Sequence, residues 1–306
     1  MSALRTYAQL VRLPNLPTAL ADVCLGALAA GALPRRWLPF VLLLLASACL
    51  YCSGMVWNDF FDVEQDKRER PFRPIPSGRV TRRQAGWFGA GLMSVGLLCA
   101  MQAGAVLVWL GDAGAVWREL GLGLALVAAI LLYDGWLKRT PAGPVAMGTC
   151  RFLNVLLAVS VSGSLLWPLG PHLALVVGLY IVGVTWFART EARASSQAAL
   201  KGAAGVMLAA FLLAVALPTH AAPGTGSPLF PYLLVALGFW VGLPVCRAIT
   251  SPTPGPVQAA VKRCLMGLVL LDAVLATAVA GSVGLVILVL LAPSLYLNRK
   301  SWLYAT

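Results

Sequence analysis

The chain reads as an all-α membrane protein, a polytopic helical bundle of nine or ten transmembrane helices, and three observations predict it. Hydrophobic residues make up 59% of the 306 positions and charged residues only 11%, where an ordinary soluble protein carries about 25% charged residues. Apolar stretches long enough to cross about 30 Å of hydrocarbon recur from end to end, and mean hydropathy is +0.83. These stretches are continuously apolar rather than alternating, which argues for helices and against a β-barrel. No segment is polar enough for a separate soluble domain, so residues 1–306 are expected to form one transmembrane unit.

Taken in order, the expected spans are 16–33, 37–57, 84–109, 116–133, 145–166, 172–188, 200–217, 229–247, 259–279 and 282–297. The last is short, so the count is nine or ten. The first run starts late and Pro34 follows at once, which suits a retained helix better than a cleaved signal. Connections on one side are short: around Pro34, at 111–116, at 167–171 and at 218–227. Those on the other side are longer and carry charge, at 58–83, 134–144 and 189–201, with a proline-broken turn at 252–256.

The formal charge of +12 could suggest a nucleic-acid partner, but its placement argues against one. With the N-terminus in the cytoplasm, the inner loops collect nearly all the Lys and Arg, while the outer loops keep only Arg35, Arg36 and Arg118. That asymmetry is the positive-inside pattern. It predicts an integral, multi-pass protein in a lipid bilayer, the inner membrane if the source is bacterial, with the N-terminus and charged loops cytoplasmic.

The densest polar block is N-D-F-F-D-V-E-Q-D-K-R-E-R-P-F-R-P-I-P-S-G, residues 58–78. Clustered carboxylates at a membrane boundary repel unless a cation sits among them. Asn58 and Asp62 are four apart, and Asp59, Asp62 and Asp66 follow at three and four. On a helix continuing out of the bilayer they share neighbouring faces, as a Mg²⁺ site using carboxylate and amide oxygens requires. Pro71, Pro74 and Pro76 forbid the helix from continuing, so Arg70 and Arg73 fall on a loop able to fold back toward a diphosphate.

That block closely resembles the first aspartate-rich motif of the UbiA superfamily of intramembrane prenyltransferases. R-L-P-N at 12–15, Y-D-G-W-L-K-R at 133–139 and V-K-R-C-L-M-G-L-V-L-L-D-A at 261–273 extend the resemblance along the chain. It implies a helical bundle around a central cavity, with Mg²⁺ as cofactor. It also implies an isoprenyl diphosphate donor and a lipophilic acceptor, for example an aromatic ring. By that resemblance Asn58, Asp62 and Asp66 hold metal, while Arg70, Tyr133, Lys138 and Arg139 face the diphosphate, with Asn15 opening the first helix nearby.

Such enzymes carry a second Asp-rich motif after the sixth helix, and here this chain departs. The corresponding loop is T-W-F-A-R-T-E-A-R-A-S-S-Q, whose one acid, Glu191, stands between Arg189 and Arg193. One carboxylate between two arginines suits an ion pair or a phosphate clamp better than a dication. Together with W-N-D-F-F-D, this loop resembles the EboC-like branch of the superfamily. The competing expectation is a degenerate protein, a carrier or scaffold for a lipid or prenylated metabolite. CDP-alcohol phosphatidyl transfer is set aside, because no D-G-x-x-A-R run is present.

Asp22, Arg151, Asn154 and Asp272 are polar residues inside apolar spans. They predict either a buried Arg–Asp pair that fixes helix register or, for Arg151 and Asn154, a place in the cavity wall that meets substrate. The seven cysteines are expected to be buried thiols, and His172 and His220 to lie in outer connections away from the chemistry.

Overall fold

The computed structural model describes residues 3–191, 194–221 and 224–298. Every regular element among them is helical. A short helix α1 (Ala3–Leu10) and a Pro14-containing turn lead into α2 (Leu16–Ala29). Then come α3 (Trp37–Phe61), α4 (Val63–Glu69), α5 (Arg82–Trp109), α6 (Ala115–Gly135), α7 (Gly143–Val159) and α8 (Leu169–Ala188). The chain continues with α9 (Gln197–Val215), α10 (Phe230–Thr250) and α11 (Pro254–Ala280). Eight helical stretches are long and apolar enough to cross a membrane, and α2 lies in a shorter apolar one, Leu13–Ala29.

The final pass has its own solution to a length problem. After α11 the chain forms a ten-residue 3₁₀ segment, Gly281–Leu290, and then α12 (Leu291–Asn298). Eighteen α-helical residues would reach about 27 Å, but a 3₁₀ rise over the first ten extends them to about 32 Å, the thickness of a hydrocarbon core. Gly284 lies directly on the Ala276–Thr277 backbone, where an added Cβ would come within 2.5 Å. At its far end Ser294 donates to the Pro14 carbonyl at 3.1 Å. The segment therefore runs back beside α11 to the end of the bundle where the chain began.

Two aromatic rims mark the ends of the bundle. Trp37, Trp109, Trp117, Trp167 and Tyr232 are exposed at one end, and Trp87, Trp136 and Trp186 at the end bearing the charged loops. This is the interfacial position such rings favour. At the uncharged end, Arg36 donates to the Val161 carbonyl at 2.7 Å, and Arg118 pairs with Asp112 at 2.6 Å and Glu119 at 3.0 Å. Two of the three outer arginines, Arg36 and Arg118, are thus consumed in closing turns. His172 and His220 lie at that same end, as expected, with their rings 5.2 Å apart.

Without a hydrophobic drive between helices in lipid, close backbone packing does the joining. Gly148 on α7 and Gly178 on α8 lie against each other, so that a Cβ on Gly148 would come 2.7 Å from the Gly178 carbonyl oxygen. Gly26 on α2 meets Ala158 on α7 in the same way. Cys150 and Cys264 are buried and four more cysteines half-buried, but Cys246 is exposed on α10, against the expectation that all seven are buried. An outward thiol on an apolar helix costs little where lipid covers it.

Candidate active site at the charged end of the bundle

The local sequence builds the charged end in three steps. Helix α3 ends at Phe61, Asp62 is a one-residue break, and α4 resumes at Val63. The break is slight, since the amides of Asp62 and Asp66 still donate to the carbonyls four residues back, at 3.1 and 2.8 Å. Pro71 then stops α4, and the loop returns over the bundle end. Ile75 and Val80 pin that loop by packing with Leu10, Val11, Val56, Val63 and Ala85. A capping box between Thr81 and Gln84 starts α5, satisfying two otherwise orphaned amide groups.

This return drives Arg73 inward. It is 4% exposed and donates to Asp59 at 3.2 Å and to both oxygens of Asp66, at 3.1 and 2.8 Å. Arg12 arrives from the opposite side, donating to Asn58 at 3.1 Å and Asp59 at 3.0 Å. Its backbone is left-handed, φ 48° and ψ 51°, an unusual state for a non-glycine residue, costing about 1–3 kcal/mol and held only where the surroundings demand it. Asn58 donates in turn to Asp134 at 2.9 Å. Asp62 accepts from Lys138 at 2.7 Å and Arg139 at 3.1 Å.

Burial and charge compete here. Desolvation raises the Asp66 carboxyl above the usual range despite Arg73, and lowers the guanidinium of Arg73, which also faces Arg12. Burial likewise opposes the charge on Arg12, but Asp59 outweighs it and holds the guanidinium above its ordinary value.

The residues expected at the site do not all come together. Asn58 and Asp66 belong to one polar network, through Asp59, Arg12 and Arg73, whereas Asp62 sits with Lys138 and Arg139. Tyr133, Lys138 and Arg189 line a cleft of about 190 Å³ together with Gly143, Pro144, Thr185 and Ala188. Across the same end, Glu191 is half-buried. Desolvation raises its carboxyl, while the positive charges of Arg70 and Lys262 pull it down. Arg151 and Asn154 lie deeper, bound to Asp22. Asn15 is exposed at the start of α2, and the residue of R-L-P-N that reaches the acidic group is Arg12. Arg193 lies outside the described residues.

Among the described residues, no three acidic, His or Cys side chains converge closely enough to hold a metal ion as they stand. Asp59, Asp62 and Asp66 each carry a protein cation instead, and Asp134 accepts from the Asn58 amide. The donor chemistry nevertheless fits a hard dication, since carboxylate and amide oxygens from Asn58, Asp62 and Asp66 are what Mg²⁺ takes. Sequence reasoning gave no role to Asp134, and it used Asp59 only for its spacing and Arg12 only as part of a motif. Asp59 and Asp134 stand beside Asn58 and Tyr133, which were singled out, and only three-dimensional proximity shows them bonded into the same network.

A family model described as the UbiA prenyltransferase family matches residues 19–270. The chain belongs to that family. Digeranylgeranylglyceryl phosphate synthase from Methanopyrus kandleri is 36% identical over 140 residues, 45% of this chain and 46% of that protein. The same-named protein from Sulfolobus acidocaldarius is 29% identical over 133 residues, 43% and 42% of the two chains. The chain thus spans less than half the length of these curated relatives. Among solved structures, one concerned with digeranylgeranylglyceryl phosphate synthase in membranes superposes with a TM-score of 0.66 at 21% identity, covering 91% of this chain and 99% of that one. A UbiA homolog from Archaeoglobus fulgidus bound to GPP and Mg²⁺ gives 0.55 at 13% identity, covering 88% and 99%. At those identities, both likenesses establish that this UbiA-family chain shares their fold.

Proposed function

We propose that this UbiA-family chain is a Mg²⁺-dependent membrane prenyltransferase. It would move an isoprenyl group from an isoprenyl diphosphate to a lipophilic acceptor at the cytoplasmic end of the bundle. One observation carries the reading: carboxylates from α3, α4 and α6 and cations from four separate segments meet beside a cleft at the membrane boundary. Such a set is matched to a polyanion bridged by metal. Asn58, Asp62 and Asp66 would hold Mg²⁺, which when bound supplies positive charge against the departing pyrophosphate.

The chain's own residues do the rest. Lys138 and Arg139, now on Asp62, are placed to grip phosphate oxygens and to stabilise the charge that develops as the C–O bond breaks. Arg70 and Arg189 extend the cationic surface, and Tyr133 walls the cleft. The apolar helices around it would exclude water from the allylic cation until the acceptor attacks. The relatives' name points to an acceptor carrying glycerol and phosphate, so the assay panel includes such a compound alongside aromatic acceptors.

Asp62→Ala tests this reading in purified protein in lipid, with labelled prenyl diphosphates and the acceptor panel. Loss of Mg²⁺-dependent transfer is expected, and undiminished turnover rules the assignment out. The lone Glu191, with Arg70 and Lys262 acting on it, favours a second reading as a carrier. Metal-independent binding of a non-hydrolysable prenyl diphosphate, without turnover, would select it.

A further inference from the structure

Apolar helices enclose a polar cluster that the charged end does not explain. On α2, α7 and α11 lie Asp22, Arg151, Asn154 and Asp272, and both aspartates have no exposed surface. Asp22 Oδ2 accepts from Arg151 at 3.1 Å and from Asn154 Nδ2 at 2.8 Å. Arg151 spends its other nitrogen on Thr18 Oγ1 at 2.8 Å and lies over the Tyr51 ring at 5.9 Å. Asn154 is closed off by Ser47, which donates to its Oδ1 at 2.8 Å, and it also donates to the Ala19 carbonyl at 3.1 Å.

Three acceptor atoms are left over: Asp22 Oδ1 and both oxygens of Asp272. The two carboxyl groups sit on the packed helices α2 and α11 and act on each other. Two ionised carboxylates cannot bond to each other, since neither has a donor. The other titratable groups around the pair offer little help. They are Cys24 beside it on α2 and Tyr180 on α8, whose hydroxyl donates to the Cys264 carbonyl at 2.8 Å. Among the described residues Arg151 is the cation that acts on both buried acids, and a second full negative charge in this setting would be uncompensated.

We infer that Asp22 and Asp272 form a one-proton site: Asp272 stands as a neutral carboxylic acid and donates its O–H to Asp22 Oδ1. One proton satisfies the leftover atom of Asp22 and gives Asp272 a partner. It also leaves the cluster neutral, with Asp22 and Arg151 as its only charges. The carboxylate of Asp22 then spends its full charge on Arg151 and anchors that guanidinium between α2 and α7. The arrangement follows the rule that two carboxylates sharing a site do not both ionise. The inference does not depend on prenyl transfer.

Infrared spectroscopy of the protein in lipid, with ¹³C-labelled aspartate, tests it. A carbonyl band of a protonated carboxylic acid is expected at neutral pH, shifting with the label and absent in Asp272→Asn. That variant keeps a donor for Asp22 Oδ1 and should retain the thermal midpoint of the wild type. Asp272→Leu removes the donor and should lower it. Absence of the protonated band from the wild type at neutral pH, or its persistence in Asp272→Asn, would overturn the proposal. So would an Asp272→Asn protein destabilised as much as Asp272→Leu.

Discussion

Replacing Arg73 by alanine removes the cation that the proline-rich loop folds under the bundle. Asp66 is 2% exposed and Asp59 3%, so neither can recover its charge from water. Breaking a buried pair by deleting one partner costs about 3–5 kcal/mol. Asp59 keeps Arg12 at 3.0 Å, so the loss concentrates on Asp66 and the lower end, about 3 kcal/mol, is expected. That is about a hundredfold in the folding equilibrium, or a midpoint lower by about 5 °C. Ile75 and Val80 still pin the loop, so the loss should reflect charge rather than loop release. Thermal unfolding in detergent, with EDTA and then with Mg²⁺, measures it. Adding Asp66→Asn should recover most of the stability, because no unpaired charge then remains. Mg²⁺ should raise the midpoint of the single variant more than that of the wild type. An Arg73→Ala protein as stable as wild type in EDTA, or one that Asp66→Asn fails to rescue, would refute the reasoning.

Two further outcomes follow from the packing and the charge. Gly148→Ala places a methyl 2.4 Å from Val182 Cγ2 and 2.7 Å from the Gly178 carbonyl oxygen. It should cost about 1–3 kcal/mol by forcing α7 and α8 apart, read as a lower thermal midpoint, and an unchanged midpoint would contradict the close crossing. Glu191→Gln removes the one negative charge facing Arg70 and Lys262, so pyrophosphate binding measured by calorimetry should hold or strengthen. A loss as complete as that expected of Asp62→Ala would instead make Glu191 a metal ligand.

Helix formation and the bundle's ends were legible in the linear order. Long apolar runs must satisfy their backbone groups internally in lipid, and the concentration of Lys and Arg at alternate connections marks one face. The break after Glu69 was equally plain, because Pro71 cannot continue α4. Spacing also brought Asn58, Asp62 and Asp66 into view, since neighbours four apart share a helical face. Which cation each of them meets was not legible. Arg12 and Arg73 lie 47 and 14 residues from Asp59, and the pairing follows from where the loop closes.

Residue order by itself determined that this chain is helical, membrane-embedded and built around an acidic patch at one boundary, because hydrophobicity and local periodicity act over a few turns. Tertiary structure alone decided that the 3₁₀ segment returns to Pro14, that Asp62 turns toward Lys138 and Arg139, and that Asp272 faces Asp22 across two helices. Those outcomes depend on how helices distant in sequence approach each other, where steric fit and charge neutralisation at low dielectric select among partners that composition treats as equal.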